Sequence, residues 1–335
     1  MIRRKNLPVT ILITLLLVGM LLPLAQQGTT VAFWLEVMIG GLMAGVLYAL
    51  VALGFVLIFK ASGVFNFAQG AMVLFAALSL ARLAEVMPLW VAFILSALIM
   101  IAFAWLVERL VLRRLVNQEA VTLLMATLGI AFFLDGFGQT IWGSDVYSID
   151  LGISKDPLFA FQGVFEGGIL MNRDDILAAV IAAALVLGLA LFFQKTSTGR
   201  ALRAVADDHQ AAQSVGIPLS RIWVIVWSVA GFVALVAGMV WGSKLGVQFS
   251  LQDIALRALP VVILGGFTSV PGAIVGGLII GVGEKISEVF FAPILTQAFD
   301  LAGGGIESWF AYVLALLFLL VRPEGLFGEK IIDRV

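Results

Sequence analysis

Residues 254–290 read IALRALPVVILGGFTSVPGAIVGGLIIGVGEKISEVF, and the number of times this stretch crosses a membrane decides the fold. It is uncharged apart from Arg257, Glu284, Lys285 and Glu288. The turn-forming run Phe267-Thr268-Ser269-Val270-Pro271 divides it into segments 254–266 and 272–290. A single crossing would leave Arg322, Lys330 and Arg334 outside the cell, whereas a hairpin of two spanning or partly spanning segments returns them inside. Lys and Arg collect on the cytoplasmic side of membrane proteins. Under alternating crossings, Arg3–Lys5, Lys60, Arg109 with Arg113 and Arg114, and Lys195 with Arg200, Arg203 and Arg221 all fall on one side. The C-terminal bases join them only if 254–290 is a hairpin.

The rest of the chain has the composition that such a reading needs. Of 335 residues, 62% are hydrophobic and 12% charged, and the mean hydropathy is +1.11. A soluble domain carries about 25% charged residues, so half that density cannot cover a water-facing surface. A span needs about 20 mostly apolar residues, and candidate segments lie at 9–25, 33–59, 64–81, 89–107, 120–142, 176–194, 222–242 and 306–321. With the hairpin this gives an all-α polytopic membrane protein of about ten transmembrane or partly spanning helices, both ends inside.

Three regions follow: an N-terminal segment at 1–32, a transmembrane domain at 33–328, and a short cytoplasmic tail at 329–335. Residues 3–25 read either as an uncleaved anchor or as a secretory signal with Ala25 at the cleavage position. The long loop 143–175 is external, with Asp145, Asp150, Asp156, Glu166, Asp174 and Asp175 against only Lys155 and Arg173. Tryptophan favours the headgroup level. Trp34, Trp90, Trp142, Trp241 and Trp309 fall near outer ends, and Trp105, Trp223 and Trp227 near inner ones.

Composition also excludes chemistry. No cysteine means no disulfide, thiolate metal site or thiol nucleophile. The one histidine, His209, rules out multi-histidine metal sites. A net charge of −1 gives no nucleic-acid footprint. No G-x-x-x-x-G-K-[ST] phosphate loop occurs, so ATP hydrolysis by that route is not expected of this chain. No catalytic residue and no metal ligand is assigned.

The polar residues within the spans are few. Asn66 and Gln69, three apart, would share one helical face; they read equally as binding groups for a zwitterion or as interhelical hydrogen-bond glue. Asp135 lies toward the outer end of 120–142, where it is either a pathway or coupling-ion group or a hydrated interfacial acid. Glu284, Lys285 and Glu288 read as a solvated helix end. Glycines four apart, at 41/45, 238/242, 272/276 and 277/281, read as close-packing devices. The break at Gly265, Gly266, Pro271 and Gly272 is more particular. Irregular backbone at membrane depth survives only where protein or a water-filled cavity satisfies it, so these four residues, with Asn66 and Gln69, are the candidate translocation pathway.

Residues 195–221 form the longest connection assigned to the cytoplasm. Ala201, Leu202, Val205 and Ala206 recur at helical spacing, Ala211, Ala212 and Val215 extend the apolar surface, and Gly216 supplies a stop. Such a short amphipathic helix is either a peg for a partner's groove or an ordinary interfacial helix.

Gly199-Arg200-Ala201, Ala206-Asp207, Ala211 and Gly216-Ile217 resemble the cytoplasmic coupling loop of ABC-importer permeases, most closely those of the branched-chain amino acid family. Gly45-Val46-Leu47-Tyr48-Ala49-Leu50-Val51-Ala52-Leu53-Gly54 running on to Asn66-Phe67-Ala68-Gln69-Gly70, the glycine-rich 260–277 stretch, and Arg322-Pro323-Glu324-Gly325-Leu326-Phe327-Gly328 are similar to further motifs of that family, in family order. The resemblance covers roughly residues 35–328 and departs from the family at Gln69, where many members carry His.

It implies a permease subunit that binds no cofactor itself and pairs with a second, related but non-identical permease. Two ATPase subunits using ATP and Mg would dock on the coupling loop, and a periplasmic binding protein would deliver a branched-chain or related amino acid. The location implied is the bacterial inner membrane. The alternative is a secondary transporter driven by an ion gradient, for which Asp135 is the one good coupling group.

Overall fold

A computed structural model describes residues 29–115, 118–154, 156–207, 209–300 and 305–328, with isolated positions 14, 18, 19 and 21. The expected first segment at 9–25 and the tail at 329–335 lie outside the described residues. The chain divides into two compact units.

The second unit comprises Leu50–Gly152 and Ala182–Leu259. Its centre is α2 (Gln69–Ala84), with α3 (Leu89–Leu110), α4 (Ala120–Trp142) and α8 (Leu219–Leu245) packed against it. Every residue of α2 from Gln69 to Ala81 is buried, as expected of a helix that is apolar on all sides. At 16 residues it is about 24 Å long at 1.5 Å per residue, shorter than the roughly 30 Å hydrocarbon layer. Small residues allow the close approach: a Cβ on Gly238 of α8 would sit 2.7 Å from the Val73 carbonyl oxygen and 3.0 Å from Ala77 Cβ. By contrast α3 and α4 bury only 28% and 22% of their most apolar windows. Their outward residues, among them Trp90, Ile94, Leu98 and Phe133, form the surface that lipid solvates.

Trp223 and Trp227, placed near the inner ends by sequence, pack inside this unit. Trp227 is wholly buried, and Trp223 Nε1 donates to the Ala61 carbonyl at 3.1 Å. The expected helix at 64–81 starts late, at Gln69. Gly63 takes φ +70°, and the Asn66 side-chain oxygen accepts the Ala68 N–H at 3.1 Å, a local bond that competes with helix.

The first unit comprises Met1–Ala49, Ile153–Ile181 and Pro260–Val335. The helix α1 (Val31–Ser62) runs 32 residues and contributes its start here. The acidic loop 143–175, left without structure by the sequence reading, contains a hairpin of β1 (Pro157–Ala160) and β2 (Ile169–Asn172), Pro157 opposite Asn172. The Leu170 N–H donates to Glu36 Oε2 at 3.2 Å, tying the hairpin to α1. Next, α5 (Arg173–Lys195) carries Asp174 and Asp175 in its first turn, where acids favour the helix dipole.

Within the first unit a glycine seam joins α1 to α11 (Val270–Ile286). A Cβ on Gly45 would lie 2.6 Å from the Gly277 carbonyl oxygen, and one on Gly277 2.6 Å from that of Gly45. Only residues without side chains permit that contact. α11 passes through a π turn at Ser287–Phe291 into α12 (Ala292–Phe299) and packs on α13 (Ile306–Val321).

The deciding stretch is bent. A 3₁₀ turn at Phe249–Asp253 leads into α9 (Ile254–Arg257) and α10 (Leu259–Gly265), and the axis then turns by 115° before α11. That angle is a broken or re-entrant path rather than one straight crossing.

Candidate functional site

The loop 195–221 folds as α6 (Ser197–Asp207) and α7 (His209–Ser214). Thr196 starts α6: its hydroxyl accepts the Gly199 N–H at 3.2 Å. Gly199, Leu202 and Val205 are buried, and their spacing of three sets one stripe inward. A Cβ on Gly199 would overlap the Phe193 carbonyl group and lie 2.7 Å from Phe193 Cα, so α6 folds back hard against the end of α5. Arg203 Nη1 secures the corner by donating to the Phe193 carbonyl at 2.7 Å.

The apolar positions therefore divide. Leu202, Val205 and Ala212 serve the protein's own packing, while Arg200, Asp207, Ala211 and Val215 face outward, Val215 75% exposed. Gly216, at φ +85°, ends the element, and the Ile217 N–H returns to the Ala212 carbonyl at 3.0 Å. Ala201, Gly216 and Ile217 meet in a groove of about 260 Å³ whose lining also includes Arg221 and Ile225. Of the residues that carry the coupling-loop resemblance, then, Gly199 fixes α6 against α5 and the others form its outward face and the groove; Ala206 is half-buried between them.

Asn66 and Gln69 meet as well, though not on one helical face. Asn66 sits in the turn before α2, and its Nδ2 lies 3.5 Å from Gln69 Oε1. Both residues are fully buried. The Gln69 amide fills the space over Gly54, where a Cβ would come within 2.7 Å of its Cδ. Gln69 Nε2 has no hydrogen-bond partner among the described residues.

Their neighbours face a cavity of about 340 Å³ within the second unit. Phe55 and Phe65 stack at 4.7 Å and Phe65 meets Phe67 edge-on at 4.9 Å, and this aromatic wall, with Phe132, lines the cavity. Thr127 of α4 pins the wall: its hydroxyl accepts the Phe67 N–H at 3.2 Å. Asp135, Gln252 and Asp253 supply the polar lining. The Oδ1 of Asp135 is buried and accepts no hydrogen bond from any described residue. The aromatic wall and Gln252 were missed by sequence reasoning, because Phe is too common in spans to stand out; the alternation of Phe65 and Phe67 about Asn66 was the available signal.

The break residues belong to the first unit. Gly265 and Gly272 pack backbone to backbone: a Cβ on Gly272 would lie 2.7 Å from the Gly265 carbonyl carbon. Gly266 takes φ +103°. Ser269 caps α11 by accepting the Gly272 N–H at 3.0 Å, with Pro271 in the first turn. The carbonyls that the break frees are taken by the C-terminal motif: Leu326 N–H donates to Leu264 at 2.8 Å and Phe327 N–H to Gly265 at 3.1 Å. Protein backbone, then, meets the need that irregular structure creates at this depth.

Ion pairs lie near several helix ends, among them Arg82 with Glu85 at the end of α2. Lys285 pairs with Glu288 at 2.8 Å on an exposed face. Glu108, only 1% exposed, receives both arms of Arg113 at 3.1 and 3.2 Å, a pair the sequence did not single out.

Residues 37–322 match the family described as branched-chain amino acid transport system, permease component. The chain is 27% identical over 315 residues to the high-affinity branched-chain amino acid transport system permease protein LivH of Salmonella typhimurium, covering 90% of this chain and 98% of that one. BraD of Pseudomonas aeruginosa, described in the same words, is 28% identical over 314 residues, with the same coverage. The fructose import permease protein FruF of Bifidobacterium longum is 24% identical over 282 residues, covering 83% of this chain and 75% of FruF. With its apolar helices, its bent glycine-rich pair and a match over most of its length, this chain belongs to the branched-chain amino acid transport system permease family.

Proposed function

We propose that the chain is the permease subunit of an ATP-driven importer that carries a branched-chain or closely related amino acid from the periplasm to the cytoplasm of a bacterial cell by alternating access. Its main structural support is the outward face of α6 and α7, where Arg200, Asp207, Ala211 and Val215 stand exposed or half-exposed beside a groove while Gly199 locks the element to α5. A helix held from behind that presents Arg200 and Asp207 beside Ala211 and Val215 can transmit a push, as a loose interfacial helix cannot.

Two ATPase subunits would dock there and supply the hydrolysis, with Mg, that this chain does not. A second, related but non-identical permease would complete the pathway, and a periplasmic binding protein would load it. Asn66, Gln69, Gly265, Gly266, Pro271 and Gly272 are proposed to support that pathway. The near absence of ionisable groups in the spans suits a net-neutral solute, because a fixed charge there needs compensation. The branched-chain assignment rests on LivH and BraD, and FruF marks the wider range of solutes that relatives carry.

Co-purification through a tag on this chain from its native membrane, with mass spectrometry of what stays bound, tests the reading. ATPase subunits and a second permease are expected. Uptake that persists without ATPases and collapses with the ion gradient would overturn it in favour of a secondary transporter coupled through Asp135.

A further inference from the structure

The cavity behind Phe65 and Phe67 has one chemically decisive feature. Its wall is mostly aromatic and aliphatic; besides Gln252 and the exposed Asp253, Asp135 reaches it with a buried oxygen that no described residue satisfies. An unpaired carboxylate oxygen among apolar groups is costly, and the missing partner is a hydrogen-bond donor, best a cationic one. Beside the acid, the stacked Phe55–Phe65 pair and Phe132 offer apolar surface, and aromatic faces also attract ammonium groups. Gln252 adds an amide that can donate to a carboxylate. At about 340 Å³ the space stands at the lower end of small-molecule pockets, which span roughly 300–1,000 Å³.

We propose that this cavity is a solute subsite for a primary ammonium compound with a short aliphatic side chain: Asp135 takes the ammonium, Phe55, Phe65 and Phe132 take the side chain, and Gln252 takes the carboxylate of a zwitterion. A polyol would leave most of its hydroxyls facing phenyl rings. A bare metal cation would find only two carboxylates, Asp135 and Asp253, in the lining. The proposal rests on the import reading above and deepens it by assigning the place and polarity of solute recognition.

Because the chain contains no cysteine, a single Ala131→Cys substitution in the cavity lining reports on it without background. The full chain in membrane vesicles is treated with methanethiosulfonate-ethylammonium or methanethiosulfonate-ethylsulfonate, each rate divided by that for a free thiol. The cationic reagent is expected to react about tenfold faster than the anionic one, the size of one charge-assisted contact. Asp135→Asn should remove the larger part of that preference, the exposed Asp253 supplying the rest. Leucine should protect the introduced thiol when Asp135 is present, and should fail to do so in Asp135→Asn. Ala71→Cys, also in the lining, repeats the measurement should the first variant fold poorly.

In parallel, Asp135→Asn in the intact transporter should raise the KM for leucine about tenfold, the same single contact. Equal reaction of both reagents, no reaction at either position, or no leucine protection would overturn the subsite. Uptake independent of ATP with protection intact would overturn the import reading alone. ATP-driven leucine uptake with an unchanged KM in Asp135→Asn would overturn the subsite alone.

Discussion

A methyl group on Gly199 would collide with the Phe193 backbone, so the orientation of the proposed ATPase-facing peg depends on the absence of one side chain. Gly199→Leu should therefore cut solute uptake at least about tenfold, a coupling loss of roughly 1.4 kcal/mol, while the chain still inserts and elutes as a discrete species from size exclusion. Uptake near the parental level would show that the peg's angle is immaterial. Thr198→Ala, beside it, should leave uptake unchanged. Arg113 poses a different question. Its guanidinium is 58% exposed, but the Glu108 carboxylate that it covers is 1% exposed. Arg113→Ala strands a buried acid, with an expected loss of about 2–3 kcal/mol in unfolding free energy, since hydrogen bonds to charged groups are worth roughly 1.5–3 kcal/mol. Glu108→Gln in the same background should recover most of it, read as thermal stability in detergent. Asn66 and Gln69 were legible as unusual at this scale, because amides in an apolar stretch stand out. Their burial was not legible, since it follows from Gly54 and α2 closing over them.

Among the elements, the bend between α10 and α11 shows how a sequence break becomes a structure. The turn run 267–271 and the glycines on either side marked the break, and the placement of Lys and Arg led to the expectation of a hairpin. What holds it is the C-terminal motif, which supplies two N–H groups to the carbonyls of Leu264 and Gly265. Leu326→Pro deletes one of those donors and should cost about 1–3 kcal/mol by leaving a buried carbonyl unsatisfied. A thermal midpoint equal to the parent's would show that the latch carries no stability. The external loop teaches the converse. Its acidity led only to an expectation of which side of the membrane it faces, and the β1–β2 hairpin rests on the cross-strand register of Pro157 with Asn172, since short exposed strands leave little periodic signal.

For the molecule as a whole, the arrangement of charges makes a topology that single-cysteine labelling checks directly on a cysteine-free background. Ser154→Cys should react with an impermeant maleimide on intact cells, and Ser214→Cys or Glu324→Cys only after permeabilisation. Labelling of position 324 from outside would mean that 254–290 crosses once. The family and the number of apolar segments were within reach of the sequence, because hydropathy, Lys and Arg placement and ordered local motifs are properties of contiguous residues. The tertiary structure alone decided which of those residues touch. It joined the C-terminal motif to the 265–272 break and separated the coupling loop's apolar positions into an inward stripe and an outward face. It also left Asn66 and Gln69 out of the lining of the cavity that Phe65, Phe67 and Asp135 share. The physical reason is common to all three: hydrogen bonds and packing contacts act over about 3–4 Å, and the residues they bring together are often far apart in sequence.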